Sequence, residues 1–163
     1  MSANIEQRWR PHAPAPFNKP SADIRSSDGT DFRVHSVIIA QASAVFAGIF
    51  ANPQAIRGAN GVDVNADYVA GEDAKTLDSF LRLCYPVKDP AVDDPQQLRK
   101  VIAAAITYAM EKAVALLRKQ LRALICMDPF EGWIVACTLK LEEDARRAAP
   151  MVGYRHSPQR EGV

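Results

Sequence analysis

Alternating polarity near the start of the chain predicts a β-hairpin. Ala22-Asp23-Ile24 is expected to form a first short strand, and Asp31-Phe32-Arg33-Val34-His35 a second, because polar and apolar residues alternate with period two. Between them, Ser26 to Thr30 contains Asp28-Gly29, a pair typical of tight turns. The apolar cluster from Val37 to Ile39 breaks this period, which predicts a short helix after His35.

Apolar residues that recur at offsets of three and four predict helices along the rest of the chain. Ser43 and Asp73 are expected to cap two of them, whereas Asp94-Pro95 and Asp128-Pro129 each combine an N-cap with a first-turn proline. In chain order, the expected helices are Ala44 to Phe50, Ala74 to Tyr85 with Pro86 after it, a stripe from Leu98 to Ala109, another from Val114 to Leu124, one opened by Asp128-Pro129, and Glu142 to Ala149. A third strand is expected at Val62 to Val64 or at Tyr68-Val69.

The last two helices carry specific expectations about burial. In the helix after Asp128-Pro129, the following apolar residues share a face broad enough to be core: Phe130, Trp133, Ile134, Cys137 and Leu141. In the final helix, Glu142 and Glu143 precede Arg146 and Arg147 by four residues, a spacing that favours ion pairs on an exposed helix. Pro150 is expected to stop this helix.

The charge balance argues against a nucleic-acid partner. The 163 residues include 20 Lys and Arg against 19 Asp and Glu, for a net charge of +1, and no long block carries one sign. The densest basic group, Arg118, Lys119 and Arg122, is interpreted as the solvated side of an amphipathic helix. The length suits one domain with a real core.

The cysteines and the apolar stretches indicate an intracellular protein, in the cytoplasm or the nucleus. Cys84, Cys126 and Cys137 are odd in number, far apart and set among apolar residues, which is typical of buried thiols in a reducing compartment. Met1 to Pro20 holds no apolar core of the signal-peptide type, and Val101 to Met110 is too short to span a bilayer. No membrane partner is expected.

Motifs for catalysis, metal binding or cofactor binding are not found in the sequence. His12, His35 and His156 are dispersed, no Cys-x-x-Cys occurs, and the glycines form no phosphate-binding loop. We therefore expect no enzyme activity, no cofactor and no small-molecule substrate. His35 is expected to form a structural pair with Asp23 on the neighbouring strand, in preference to acting as a catalytic base.

Several segments, taken in order, resemble a known family. Ser21 to Ile24, Arg25 to His35 and Ser43 to Phe50 resemble the opening of a BTB (POZ) domain. Glu72 to Pro86, followed by Tyr108 to Glu111, is similar to the variant of this domain that is abundant in filamentous fungi. The resemblance covers about Pro16 to Ala149. It implies an α+β fold, a small and mostly three-stranded sheet flanked by helical hairpins, in which the counterparts of Asp23 and His35 are structural.

The residue pattern and the resemblance together divide the chain, and the resemblance implies its function. The expected parts are a Pro-rich flexible arm at residues 1–20, a BTB/POZ domain at 21–125, a helical extension at 126–150 and a flexible tail at 151–163. The implied function is a non-catalytic protein-interaction module that assembles with itself or with other proteins. A role in transcription is an alternative, since BTB domains often accompany zinc fingers.

The candidate partner surface follows the second predicted helix. Phe50, Pro53 and Ile56 are the residues where a partner is sought, although apolar residues at a helix end also serve as core. A narrower alternative is a substrate adaptor for a cullin-type ubiquitin ligase. In the family that role goes with a glutamate in the loop after Phe50, and Asn52 to Gly61 contains none, so a cullin is not the favoured partner.

Overall fold

The computed structural model describes residues 22–51, 68–85, 87 and 90–155. Within them, one three-stranded sheet is combined with seven helices, so the α+β architecture predicted from the sequence is confirmed. In chain order the elements are β1 (Ala22–Arg25), β2 (Asp31–Val34), α1 (Ser36–Ala42), α2 (Ala44–Ala51), β3 (Tyr68–Val69), α3 (Ala74–Arg82), α4 (Pro95–Thr107), α5 (Glu111–Met127), α6 (Pro129–Thr138) and α7 (Glu142–Arg155).

The sheet is mixed and has the order β2-β1-β3. Strands β1 and β2 form the predicted antiparallel hairpin, whose turn places Gly29 at a φ of 88°, a left-handed conformation that favours glycine. Strand β3 runs parallel to β1, with Tyr68 opposite Ile24. Of the two positions considered for a third strand, Tyr68-Val69 is therefore confirmed, and Val62 to Val64 lies outside the described residues.

All four predicted N-caps are confirmed. The side chains of Asp73, Asp94 and Asp128 accept hydrogen bonds from the first-turn amides of α3, α4 and α6. Ser43 Oγ likewise accepts from Phe46 N, at 3.1 Å, at the start of α2. These caps place the beginnings of four helices where the sequence located them.

Helix ends were less predictable than helix starts. The prediction that α3 reaches Tyr85 is wrong, because the chain tightens into three-residue turns after Arg82, with Tyr85 N bonding to Arg82 O at 3.0 Å. The stripe expected to end at Ala109 stops at Thr107, and Ala109 itself adopts a φ of 51°. Met110 N then bonds to Ala105 O, which closes the helix end in a Schellman pattern.

The core lies between the sheet and helices α1 to α5 and extends to α6 and α7. Its largest fully buried side chains include Phe32, Phe46, Phe80, Ile24, Ile39, Leu77, Leu81, Leu98, Ile102, Met110 and Leu117. Helix α5 continues the core with Leu121 and Ile125, against which α6 packs. The described helices include none that is long and apolar enough to cross a membrane.

The prediction that the apolar face of this helix is core is wrong for Phe130, Trp133 and Cys137, which are exposed. Ile134 is half-buried, and Leu141 packs partly buried against the core. Helix α6 instead buries the small or compact residues Pro129, Gly132, Val135 and Ala136. The reason is distance, because a Cβ atom at Gly132 would lie 2.9 Å from Ile125 Cα, so the backbones of α5 and α6 approach too closely for a bulky side chain between them.

The prediction that Pro150 stops the last helix is also wrong. Helix α7 continues to Arg155, and Pro150 lies inside it at an exposed position. The helix packs along α6, with Ala148 fully buried before the proline and Val152 half-buried after it. Packing on both sides therefore outweighs the one backbone hydrogen bond that proline removes. Of the tail predicted at 151–163, residues 156–163 lie outside the described residues.

Candidate interaction surfaces

Phe50 is anchored to the core by one of its faces. Its ring stacks on that of Phe46, with centroids 5.8 Å apart, and the side chain is half-buried at the end of α2. Pro53 and Ile56, together with the loop that bears on a cullin role, lie outside the described residues. A partner surface at Phe50, Pro53 and Ile56 therefore stays a prediction.

Tyr108 links the end of α4 to the sheet and to α2. Its ring lies between those of Phe46 and Phe80, at centroid distances of 4.6 and 5.4 Å. Its hydroxyl donates to Glu72 Oε2 at 2.7 Å, and its carbonyl accepts from Ser43 Oγ. Burial, with the neighbouring hydroxyl of Tyr68 and the Glu72 carboxylate, raises the pKa of Tyr108, so the phenol remains a hydrogen-bond donor.

Asp23 and His35 lie on the same face of the hairpin. The strand register sets Asp23 opposite Arg33, and its Oδ1 is 3.8 Å from Arg33 Nε. His35 follows β2; its ring packs edge-on against Tyr85 at 6.0 Å, and its backbone N–H donates to the Tyr85 hydroxyl. Its buried Nδ1 has no hydrogen-bond partner within the described part of the chain. The proposed pair of Asp23 with His35 stays a prediction, and Arg33 is a cross-strand neighbour of Asp23 that sequence reasoning did not consider.

Two arginines of α5 bind the first turn of α7. Arg118 Nε and Arg122 Nε donate to the two oxygens of Asp144 at 2.6 and 2.9 Å, and both guanidinium groups also contact Glu143. The Asp144 side chain is fully buried. Burial alone raises the pKa of this carboxyl, but the hydrogen bonds from Arg122 and Arg118 outweigh it and hold the pKa below its usual value.

This network corrects two interpretations made from the sequence. Arg118 and Arg122 are joined to another helix and do not belong to a purely solvated face. Glu143, which was expected to pair with Arg147, contacts Arg118 and Arg122 instead. The predicted pair of Glu142 with Arg146 is confirmed at 3.2 Å. Sequence periodicity could not locate the network because its members are more than twenty residues apart and meet only through packing of the helices.

The outward face of α6, defined by Phe130, Trp133, Ile134 and Cys137, is the clearest apolar feature of the surface. Phe130 is 51% exposed and Trp133 37%, Cys137 is exposed near the end of the helix, and Ile134 is half-buried. Met127, the last residue of α5, is 74% exposed. A helix that is apolar on all sides is ordinarily buried all round. An exposed aromatic patch of this kind is typical of a contact surface.

The three thiols differ in their surroundings. The prediction that all are buried is wrong, because Cys126 and Cys137 are exposed and only Cys84 is partly buried. Burial raises the pKa of the Cys84 thiol to about 12, so it stays protonated and unreactive at neutral pH. Cys137 belongs to the outward face of α6, and Cys126 lies near the end of α5.

Comparison with known proteins agrees with the resemblance seen in the sequence. A family model described as BTB/POZ domain matches residues 22–124, from the first strand to near the end of α5. The match accounts for well over half of the chain and ends before α6 and α7. A search of curated proteins gave no match.

Proposed function

Since this chain belongs to the BTB/POZ domain family, a family of interaction modules, we propose that it is a non-catalytic scaffold that assembles with itself or with other proteins. The observation that carries the proposal is the outward face of α6, which presents Phe130 and Trp133 on a rigid helix. Aromatic residues are enriched at the centres of protein interfaces because they combine a large apolar area with few rotatable bonds.

The polar groove beside β3 supports a non-catalytic role. It is lined by Glu72, Asp73, Thr76 and Lys100, among others. Its charged groups bind one another or nearby hydroxyls: Lys100 Nζ contacts Asp73 Oδ2 at 2.9 Å, and Glu72 accepts from Tyr108. Asp73 also caps α3. These charged groups are thus engaged in a helix cap, an ion pair and a hydrogen bond, which favours a structural role for them.

Affinity purification with mass spectrometry tests the proposal. The tagged chain is compared with Phe130→Ser/Trp133→Ser, and with Val37→Ser as a control at an apolar residue that is 77% exposed on another helix. We expect the wild-type chain and the control to retain a protein at stoichiometric level, which can be an untagged copy of the same chain. We expect the double variant to lose most of it. A wild-type chain that retains no protein above the level of a bare support contradicts the proposal.

The finer statements belong to the same proposal. Location in the cytoplasm or nucleus is supported by three free thiols. The resemblance to the variant of filamentous fungi stays a prediction. Stoichiometric recovery of a cullin in the same purification would favour the adaptor alternative over a scaffold.

A further inference from the structure

The outward face of α6 remains apolar at every position when the helix is reversed end for end. Reversal about the point between Trp133 and Ile134 exchanges these two residues with each other and Phe130 with Cys137. Every position of the face is therefore apolar in both directions. A two-fold interface requires this kind of surface, because the same patch must contact a copy of itself.

The charges at the two ends of α6 complement each other in the same reversed arrangement. Asp128 and Glu131 lie at the start of the helix, and the exposed Lys140 follows its end. In an antiparallel pair, the acidic start of one helix lies near Lys140 of the other. The antiparallel arrangement of the two helix dipoles is also electrostatically favourable, since the positive end of each helix lies near the negative end of the other. A parallel pair would bring like charges together.

We propose that a second copy of this chain covers the outward face of α6, with the two helices antiparallel about a two-fold axis between Trp133 and Ile134. The inference rests on the proposed function and names the partner of the same surface. It places the contact in α6, outside the segment 22–124 that the family model matches.

The size of the face sets the strength of this contact. A fully buried aromatic side chain removes roughly 150–250 Å² from water. With Phe130 51% exposed and Trp133 37% exposed, these two side chains together offer on the order of 200 Å². A stable interface buries roughly 800 Å² per partner. The dimer is therefore weak, and its population depends on protein concentration in the micromolar range or above.

Sedimentation velocity of the full chain over a concentration series tests the proposal. We expect a monomer–dimer equilibrium for the wild type, a dissociation constant at least tenfold higher for Phe130→Ser/Trp133→Ser, and no change for Val37→Ser. All substituted side chains are exposed, and circular dichroism checks that the variants remain folded. A wild-type chain that stays monomeric throughout, or a double variant that dimerises like the wild type, overturns the inference.

Disulfide trapping tests the antiparallel geometry. In a Cys84→Ala/Cys126→Ser background, Phe130→Cys is expected to crosslink to the native Cys137 of a second copy under mild oxidation. Residues seven apart in a helix are separated by about 10 Å, too far for a link within one chain. Cys137 alone, or Cys137 combined with Val37→Cys, is expected to give no covalent dimer. Equal crosslinking in these controls overturns the arrangement.

Failure of the inference is distinguishable from failure of the proposed function. If Phe130→Ser/Trp133→Ser still dimerises, the inference is wrong while self-association through another surface stands. If the wild-type chain is monomeric but retains a different protein through this face, the second copy is the wrong occupant and the scaffold role remains. If it is monomeric and retains no protein at all, both are wrong.

Discussion

Replacing Gly132 with alanine tests how closely α5 and α6 are packed. The added Cβ would lie 2.5 Å from Ile125 Cγ1, 2.9 Å from Ile125 Cα and 3.1 Å from Ile125 N. A side chain can rotate away from the first contact, but two of the three neighbours are backbone atoms. The helices must therefore separate, and the packing of Val135 and Ala136 is disturbed with them.

The expected size of the effect combines two opposing contributions. Overpacking of a close-packed core destabilises by typically 1–3 kcal/mol. Alanine is favoured over glycine within a helix by roughly 0.5–1 kcal/mol. We therefore expect Gly132→Ala to lower the free energy of unfolding by about 1–2 kcal/mol, despite its better helix propensity.

Gly48→Ala provides the matched control. Gly48 also lies within a helix, α2, but a Cβ atom there would meet no other atom within 4 Å. Only the propensity contribution remains, so this variant is expected to be more stable by roughly 0.5–1 kcal/mol. The same substitution should thus have opposite signs at the two positions.

Urea denaturation followed by circular dichroism measures both changes, with the free energy obtained by linear extrapolation. Truncating the neighbour in the double variant Ile125→Ala/Gly132→Ala is expected to relieve only part of the strain, because Ile125 Cα and N remain in place. If Gly132→Ala is as stable as the wild type or more so, the close approach of α5 and α6 is refuted.

Three further predictions follow from the same structure. Asp144→Asn is expected to destabilise the fold by roughly 2 kcal/mol at neutral pH, since hydrogen bonds to charged groups contribute about 1.5–3 kcal/mol. Because the folded-state pKa of Asp144 is below the unfolded value of about 3.9, its stabilisation is complete above about pH 4 and is lost as pH falls through the folded pKa. Urea titrations at several pH values should therefore show a flatter acid dependence of stability in the variant than in the wild type. A thiol-reactive dye at neutral pH should modify Cys126 and Cys137 quickly and Cys84 only after unfolding, and rapid labelling of all three would contradict the burial of Cys84. Ala109→Gly should raise the melting temperature, corresponding to at most about 1 kcal/mol, because Ala109 adopts a left-handed conformation that glycine accepts without strain; a lower melting temperature would argue against that conformation.

The local signals in the sequence located the elements well. The alternation around the Asp28-Gly29 turn predicted the hairpin, and the four N-caps predicted helix starts, because these features depend on residues within a few positions of one another. The end of the last helix was missed because the deciding interaction was tertiary. Helix α7 packs along α6 and therefore continues beyond Pro150, where the sequence predicted its end.

The orientation of α6 shows why the candidate surface was harder to predict. A helix that is apolar on both sides has no periodicity to say which side is buried. The larger side chains, Phe130 and Trp133, indicated the core, but backbone distance at Gly132 selected the small face. The single glycine among bulky neighbours was the available signal, since a glycine within a helix often marks a close approach of another element.

The arginine network across α5 and α7 bears on how the chain folds. Arg118 and Arg122 lie inside the matched segment 22–124, whereas Asp144 and Glu143 lie beyond it. A chain cut after residue 124 would leave both guanidinium groups without these carboxylates and would remove Ile125 and all of α6 from the core. We therefore expect the sheet and helices α1 to α7 to unfold in one cooperative transition, with α6 and α7 as parts of the folding unit and not as an appendage to it.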